Sequence, residues 1–245
     1  MSESTYHTSV LLHECLDGLA IKPDGIYVDV TFGGGGHSKA ILEKLGPDGK
    51  LFAFDQDPDA QNNILEDDRF VLIPENFRYI SRFLRFHGVR KVDGVLADLG
   101  VSSHQFDEAE RGFSTRFDGD LDMRMNQKSK ISAKEVVNEY SEEKIAEILF
   151  LYGELRNSRN IAKTIVEKRQ EERIDTSFQL RKVLQRFLPN AKEHKIIAQI
   201  FQAIRIEVNE ELDVLKEFLE QLPNLLNEEG RLSVISYHSL EDRLV

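Results

Sequence analysis

Short apolar runs separated by polar turns fill the first hundred residues, at Ile26–Val30, Leu51–Asp55, Phe70–Ile73 and Val92–Ala97. Between them, apolar residues recur at helical spacing: Ala40, Ile41, Leu42 and Leu45 ahead of Gly46-Pro47, a brief stretch over 59–65, then Phe77, Ile80 and Leu84 behind Asn76, a good cap. Before the first run, residues 9–19 set Val10, Leu11, Leu12, Cys15, Leu16 and Leu19 along one side of a short helix. Strands alternating with helices predict an α/β fold, a doubly wound parallel sheet with its ligand at the strands' carboxyl ends.

From about Ala109 the strand pattern gives way to helical periodicity. Ser132-Ala133-Lys134-Glu135 reads as a capping box, and Ser141 starts a helix with Ile145, Ile148 and Leu149 on one face. Further helical segments carry Ile161, Ala162, Ile165 and Val166, then Leu180, Val183, Leu184 and Phe187 before Pro189. A long helix over 197–222 is predicted next, with Gly230 preceding a fifth strand, Leu232–Ser236. The expected organisation is a sheet domain, 1–108 and 205–245, interrupted by an all-helical insert, 109–204.

The first strand runs into Asp29-Val30-Thr31-Phe32-Gly33-Gly34-Gly35-Gly36-His37-Ser38. A glycine turn between strand and helix lets backbone press against a nucleotide-like ligand. Acids close three strands: Asp29, Asp55 and Asp98. Asp55 stands about 20 residues beyond Gly35, the distance at which an acid receives ribose hydroxyls. Nicotinamide dinucleotides and S-adenosylmethionine both suit such a site. The glycines run into His37-Ser38 instead of reaching the final glycine of a G-x-G-x-x-G pattern, and no G-K-[ST] follows as a Walker loop needs.

The single cysteine, Cys15, excludes an internal disulfide framework. The polar start (Ser2, Glu3, Ser4) and the lack of a long apolar run fit a cytoplasmic protein that does not cross a membrane. Net charge is −11, unevenly spread: residues 109–204 hold 18 Lys+Arg against 15 Asp+Glu, a net of +3, and the remainder carries −14. Nucleic-acid association follows local basic surface rather than the total. Arg156, Arg159 and Lys163, with Lys168 and Arg169, are the candidate phosphate contacts.

Thr31–Ser38, Asp98-Leu99-Gly100-Val101-Ser102-Ser103, Glu110-Arg111-Gly112-Phe113-Ser114, Leu121-Asp122-Met123-Arg124-Met125, Tyr152-Gly153-Glu154, the run from Phe201 to Asn209 and the run from Val234 to Arg243 together resemble the signatures of the MraW/RsmH family. The likeness runs in order from Tyr6 to Val245. It implies a Rossmann-like (class I) methyltransferase that moves a methyl group from S-adenosyl-L-methionine to the exocyclic N4 of a cytidine in 16S ribosomal RNA. It also implies that Gly35, Gly36, His37, Asp55, Phe77, Asp98 and Gln105 contact the cofactor, with Gly33 in the same loop. The substrate is expected within the small ribosomal subunit, with a homodimer as a further expectation. Family members continue several dozen residues past the position of Val245, so the C-terminal edge of the sheet is expected to be short.

An exocyclic amine needs no cysteine nucleophile, only in-line displacement with nitrogen and methyl held close. Asp98 is the expected proton acceptor, with Ser236 and His238 facing the base. Two rival readings are a nicotinamide oxidoreductase and a catalytically dead RNA-binding factor; titration with S-adenosylmethionine separates them.

Overall fold

The structure is a computed structural model that describes residues 9–245; Ser2, Glu3, Ser4 and Tyr6 lie outside them. The chain divides into two compact units, Met1–Gly100 with Leu212–Val245, and Val101–Glu211. From the N-terminal side it passes through α1 (Leu12–Leu19), β1 (Ile26–Asp29), α2 (Gly36–Lys44), β2 (Lys50–Phe54), β3 (Phe70–Ile73), α3 (Ile80–Phe86) and β4 (Val92–Asp98). It then builds α4 (Ser103–Asp107), α5 (Ala133–Glu139), α6 (Glu142–Leu151), α7 (Ser158–Glu171), α8 (Ser177–Leu184) and α9 (Glu193–Asn209). It returns through α10 (Glu211–Leu225), β5 (Leu226–Ile235) and α11 (Ser239–Leu244).

All five strands pair in parallel, in the order β3-β2-β1-β4-β5. The chain starts in the middle of the sheet, works outward to β3 and crosses back to β4 beside β1. The order reverses between β1 and β4, and the carboxyl ends of strands at such a switch point are where open α/β sheets hold ligands. Alternate residues feed opposite faces: Val28, Phe52, Phe54 and Val95 pack with α3 and α10 residues Ile80, Leu84, Leu215 and Phe218. Tyr27, Leu51, Ala53 and Leu96 pack with α1 and α2 residues Cys15, Leu16, Leu19 and Ile41. Both faces are therefore covered, as a parallel sheet requires. The doubly wound fold expected from the strand–helix alternation is the fold found.

The helical unit has its own core, in which Leu121, Met123, Ile148, Leu149, Ile161, Ile165, Leu180, Ile200 and Ile204 meet. Local signals act as expected: Ser132 and Glu135 form the capping box of α5, and Ser141 caps α6.

Five elements differ from the pattern reading. The helix expected over 9–19 starts at Leu12, leaving Val10 and Leu11 ahead of it and exposed. The helix expected over 197–222 is two, α9 and α10, parted at Glu210, whose φ of 50° lies in the left-handed region. Side-chain bonds flank this break, which apolar spacing cannot register. Asn209 Oδ1 accepts from Met125 N at 2.8 Å, its Nδ2 donates to Met123 O at 2.7 Å, and Arg205 holds Glu211 at 2.8 and 3.0 Å. The helix after the glycines starts at Gly36 itself, the 59–65 helix is a 3₁₀ turn over Pro58–Asn63, and β5 begins at Leu226, where a register shift between Val92 and Gly94 absorbs extra residues. The helical unit also extends past the limits of 109–204 expected from composition, because α4 precedes and α9 continues beyond the change in pattern. Among the described residues no helix is long and apolar enough to cross a membrane.

Candidate active site at the carboxyl edge of the sheet

The glycine loop leaves β1 at Asp29, whose buried carboxylate organises the turn. Asp29 Oδ2 accepts from Ser38 Oγ at 2.7 Å and Oδ1 from Thr31 N at 3.1 Å. Burial pushes its pKa up against these bonds. Thr31 Oγ1 in turn accepts from Asp98 N at 2.7 Å, tying the loop to the end of β4. Gly35 sits at φ 76° with the Phe32 ring 3.0 Å from where a Cβ would lie, so both backbone and space demand glycine. At Gly36 a Cβ would strike Ser9 Oγ, while at Gly34 no atom of the described residues lies within 4 Å of one.

Asp55, at the end of β2, grips the same loop. Its Oδ2 accepts from Gly33 N and its Oδ1 from Asp57 N, both at 2.8 Å. Burial raises its pKa to about 6 despite these two donors. Gly33 is further held by Asn63 Nδ2 on its carbonyl at 3.0 Å.

Asp98 gathers the remaining groups. Tyr237 OH donates to its Oδ1 at 2.8 Å, and His37 Nδ1 lies 3.8 Å from its Oδ2. His37 Nε2 meets Val10 O at 3.0 Å, and since a carbonyl can only accept, Nε2 carries the hydrogen and Nδ1 is turned to the carboxylate. Burial holds Asp98 above the usual carboxylate range, opposed by the Tyr237 bond and by His37. Tyr237 titrates well above an ordinary phenol, through burial and the adjacent Asp98. The residue as a whole nonetheless stays 55% exposed.

The other expected site residues are placed as follows. Phe77 is half-buried and stands edge-on to Phe218 of α10, centroids 5.3 Å apart. Ser236 Oγ bonds Asp242, and His238 caps α11 by accepting from Glu241 N, so both side chains serve the turn on either side of Tyr237. Gln105 belongs to the helical unit, buried, closing the capping box of α4 with Ser102. The structure thus brings Gly33, Gly35, Gly36, His37, Asp55 and Asp98 to one sheet edge.

Residues 4–245 match the MraW methylase family. The chain belongs to that family. Three proteins named ribosomal RNA small subunit methyltransferase H are similar to it. That of Flavobacterium johnsoniae is 66% identical over 240 residues, 98% of this chain and 80% of that protein. That of Christiangramia forsetii is 65% identical over 240 residues, with the same coverage. That of Bacteroides fragilis is 54% identical over 243 residues, 99% of this chain and 80% of that protein.

Within this MraW-family edge, Tyr237 and Thr31 are the contributors that residue-type reasoning passes over. A phenol two residues past a strand carries no motif of its own, and its neighbours Ser236 and His238 look more reactive. Only the parallel pairing of Asp98 with Ile235 puts Tyr237 within reach.

In the helical unit, Arg156, Arg159 and Lys163 are exposed at the start of α7, Lys163 lying 3.8 Å from Glu167. Arg169 differs from its expected phosphate role: its Nη1 donates to Val137 O at 2.9 Å and Tyr140 O at 2.7 Å, stitching α7 to the end of α5. Lys168 pairs with Glu171 at 2.8 Å. Over the structural limits 101–211 the unit holds 19 Lys+Arg and 20 Asp+Glu, so the +3 of residues 109–204 is offset at its margins.

Proposed function

We propose that this methylase transfers a methyl group from S-adenosylmethionine to the exocyclic N4 of a cytidine in 16S ribosomal RNA, with the sheet unit holding the cofactor and the helical unit engaging RNA. The observation that carries the reading is Asp98, a desolvated acceptor at the switch point, clasped by Tyr237 and faced by His37. Family membership supplies the methylase, and the names of its relatives point to small-subunit ribosomal RNA.

The residues present fit the cofactor. Each Asp55 oxygen accepts one backbone N–H and keeps a second lone pair for a ribose hydroxyl. Among the described residues nothing lies within 4 Å of a Cβ at Gly34, which leaves room for a ligand against bare backbone; Asp98 would present its carboxylate to the cofactor, while Asp29 is taken up by Ser38 and Thr31. Phe77, Gly35, Gly36 and His37 complete the cradle. When bound, S-adenosylmethionine supplies an electrophilic methyl carbon.

The chain's own part is to hold the amine and take its proton. The amino lone pair of cytosine is delocalised into the ring, so Asp98 accepts one N–H and turns the nitrogen toward the methyl donor. Its raised pKa improves it as a base. Tyr237 fixes the carboxylate and offers its ring to the base, while Ser236 and His238 secure the turn that carries it. Cys15 is unsuited to attack a ring carbon, being buried in α1 with its thiol pushed up by that burial. The test is methyl-labelled cofactor with small-subunit ribosomal RNA, followed by digestion to nucleosides. Label on cytidine N4 is expected; label on carbon 5 or ribose, or cofactor binding without transfer, overturns the reading.

A further inference from the structure

Between Glu75 and Asp93 the chain has no acid and five cations, Arg78, Arg82, Arg85, Arg90 and Lys91. This is unusual in a unit that holds 13 Lys+Arg against 23 Asp+Glu. The segment contains α3, whose inner face, Ile80 and Leu84, is fully buried. Its outer face is not polar throughout. Phe86 is 84% exposed and Tyr79 44%, and Arg82, Arg85, His87 and Arg90 are exposed around them. Tyr79, Arg82 and Phe86 stand three and four residues apart and therefore share one stripe of the helix. His87 meets Phe86 edge-on at 5.4 Å. Two of the cations are committed elsewhere: Arg78 to Glu217 at 2.5 Å and Lys91 to Leu226 O at 2.9 Å. Arg85 Nε donates to Ser81 O of its own helix, at 3.0 Å, and the side chain is exposed.

We infer that this outer face of α3 is a second docking surface for the RNA substrate, gripping a single-stranded stretch through phosphate contacts from Arg82, Arg85 and Arg90 and a base stacked on Phe86. Cations interleaved with exposed aromatic rings suit single strands, which offer a charged backbone and unstacked bases to the same surface. Phe86, 84% exposed, contributes little to the core beneath, which Ile80 and Leu84 fill; what sets it apart is its place among three exposed arginines. An acidic protein partner would use the arginines alone, whereas the ring points to a base. The net charge of the unit hides this face, because the acids lie on other elements. The inference rests on the reading that ribosomal RNA is the substrate.

The test is equilibrium binding of the full chain to a small-subunit ribosomal RNA transcript at several salt concentrations, with cofactor binding as a fold control. Phe86→Ala is expected to weaken binding about 5- to 150-fold with an unchanged salt slope, and Phe86→Trp to restore it. The triple variant R82A/R85A/R90A is expected to weaken binding and to flatten the slope of log affinity against log salt by about 2, roughly 0.7 for each single-strand phosphate no longer neutralised. Wild-type affinity and slope in both variants, while the unaltered chain binds RNA, overturn the docking surface and leave the substrate reading standing. Self-association of the chain that the triple variant abolishes, with RNA affinity unchanged, overturns it in favour of a second copy as occupant. An unaltered chain that binds cofactor but no RNA removes the substrate reading and this inference with it.

Discussion

The carboxyl end of the sheet and the Arg111–Arg124 segment of the helical unit are both dense in polar side chains, yet their acids are displaced in opposite directions. At the sheet end, Asp29, Asp55 and Asp98 are all held above the ordinary carboxylate range by burial, and their partners are backbone N–H groups, hydroxyls and an imidazole. In the helical unit, burial also pushes Asp122 up, but the Arg124 guanidinium more than offsets it and holds the acid below that range. Arg124 grips both Asp122 oxygens at 2.8 and 2.6 Å, and Arg111 donates to Arg124 O at 3.0 Å. Gly112 belongs to the same arrangement: at φ 71°, it lies where a Cβ would strike Asp120 O. Equally recognisable motifs thus do different work. Desolvated acids without guanidinium partners mark a candidate site even where, like Asp29 and Asp55, they also hold the loop; an acid clamped by a guanidinium marks a scaffold.

The sharpest test of this contrast is Asp98→Asn, which keeps shape but removes the base. Single-turnover methyl transfer at saturating cofactor is expected to fall on the order of 100-fold or more, with thermal stability near wild type. A rate within about threefold would return Asp98 to the scaffold class.

On the other side, Asn209→Ala strips Met125 N and Met123 O of their partner beside the Asp122–Arg124 pair. A loss of ~2–4 kcal/mol in unfolding free energy is expected, with the remaining folded protein binding cofactor normally. Denaturant unfolding and calorimetry measure the two separately. A stable variant with poor cofactor binding would erase the distinction.

Asp55→Ala should cost the cofactor ~1.5–3 kcal/mol, about 10- to 150-fold in dissociation constant. The pH dependence gives the sign. The folded pKa of about 6 exceeds the ordinary 3.8, so the folded state binds more protons between these values and Asp55 lowers stability as pH rises through that window. Cofactor affinity should move oppositely, rising as the carboxylate ionises near pH 6, and Asp55→Asn should flatten both profiles. Asp122, with its lowered pKa, contributes stability above the ordinary carboxylate range that is lost only as pH falls through the folded value. Unfolding curves carried from pH 7 to well below the ordinary 3.8 would expose a shared sign if the two regions were alike.

The smallest effect is expected on α7. Replacing Arg156, Arg159 and Lys163 with Ala should lower the salt slope of RNA binding by about 0.7 for each phosphate no longer neutralised and leave cofactor affinity intact. Lys163 should contribute least, since it already neighbours Glu167. An unchanged slope would leave the helical unit without its assigned surface.

Sequence alone determined the alternation of strands and helices, the glycine loop and the acids that end the strands, because these depend on residues near one another in the chain. Period, capping and turn chemistry are local, and Ser132, Ser141 and Asn76 cap where their spacing says they should. Tertiary structure alone decided which distant groups share a surface. Parallel pairing of β4 with β5 sets Tyr237 on Asp98, 139 residues away in sequence, and displaces Ser236 and His238 into the cap of α11. A bridge from Asn209 to Met123 and Met125 accompanies a helix break that apolar spacing reads straight through. The backbone of α5 claims Arg169, which composition counts as free charge. In each case the deciding partner is far along the chain, and only the packed fold holds the two within hydrogen-bond distance.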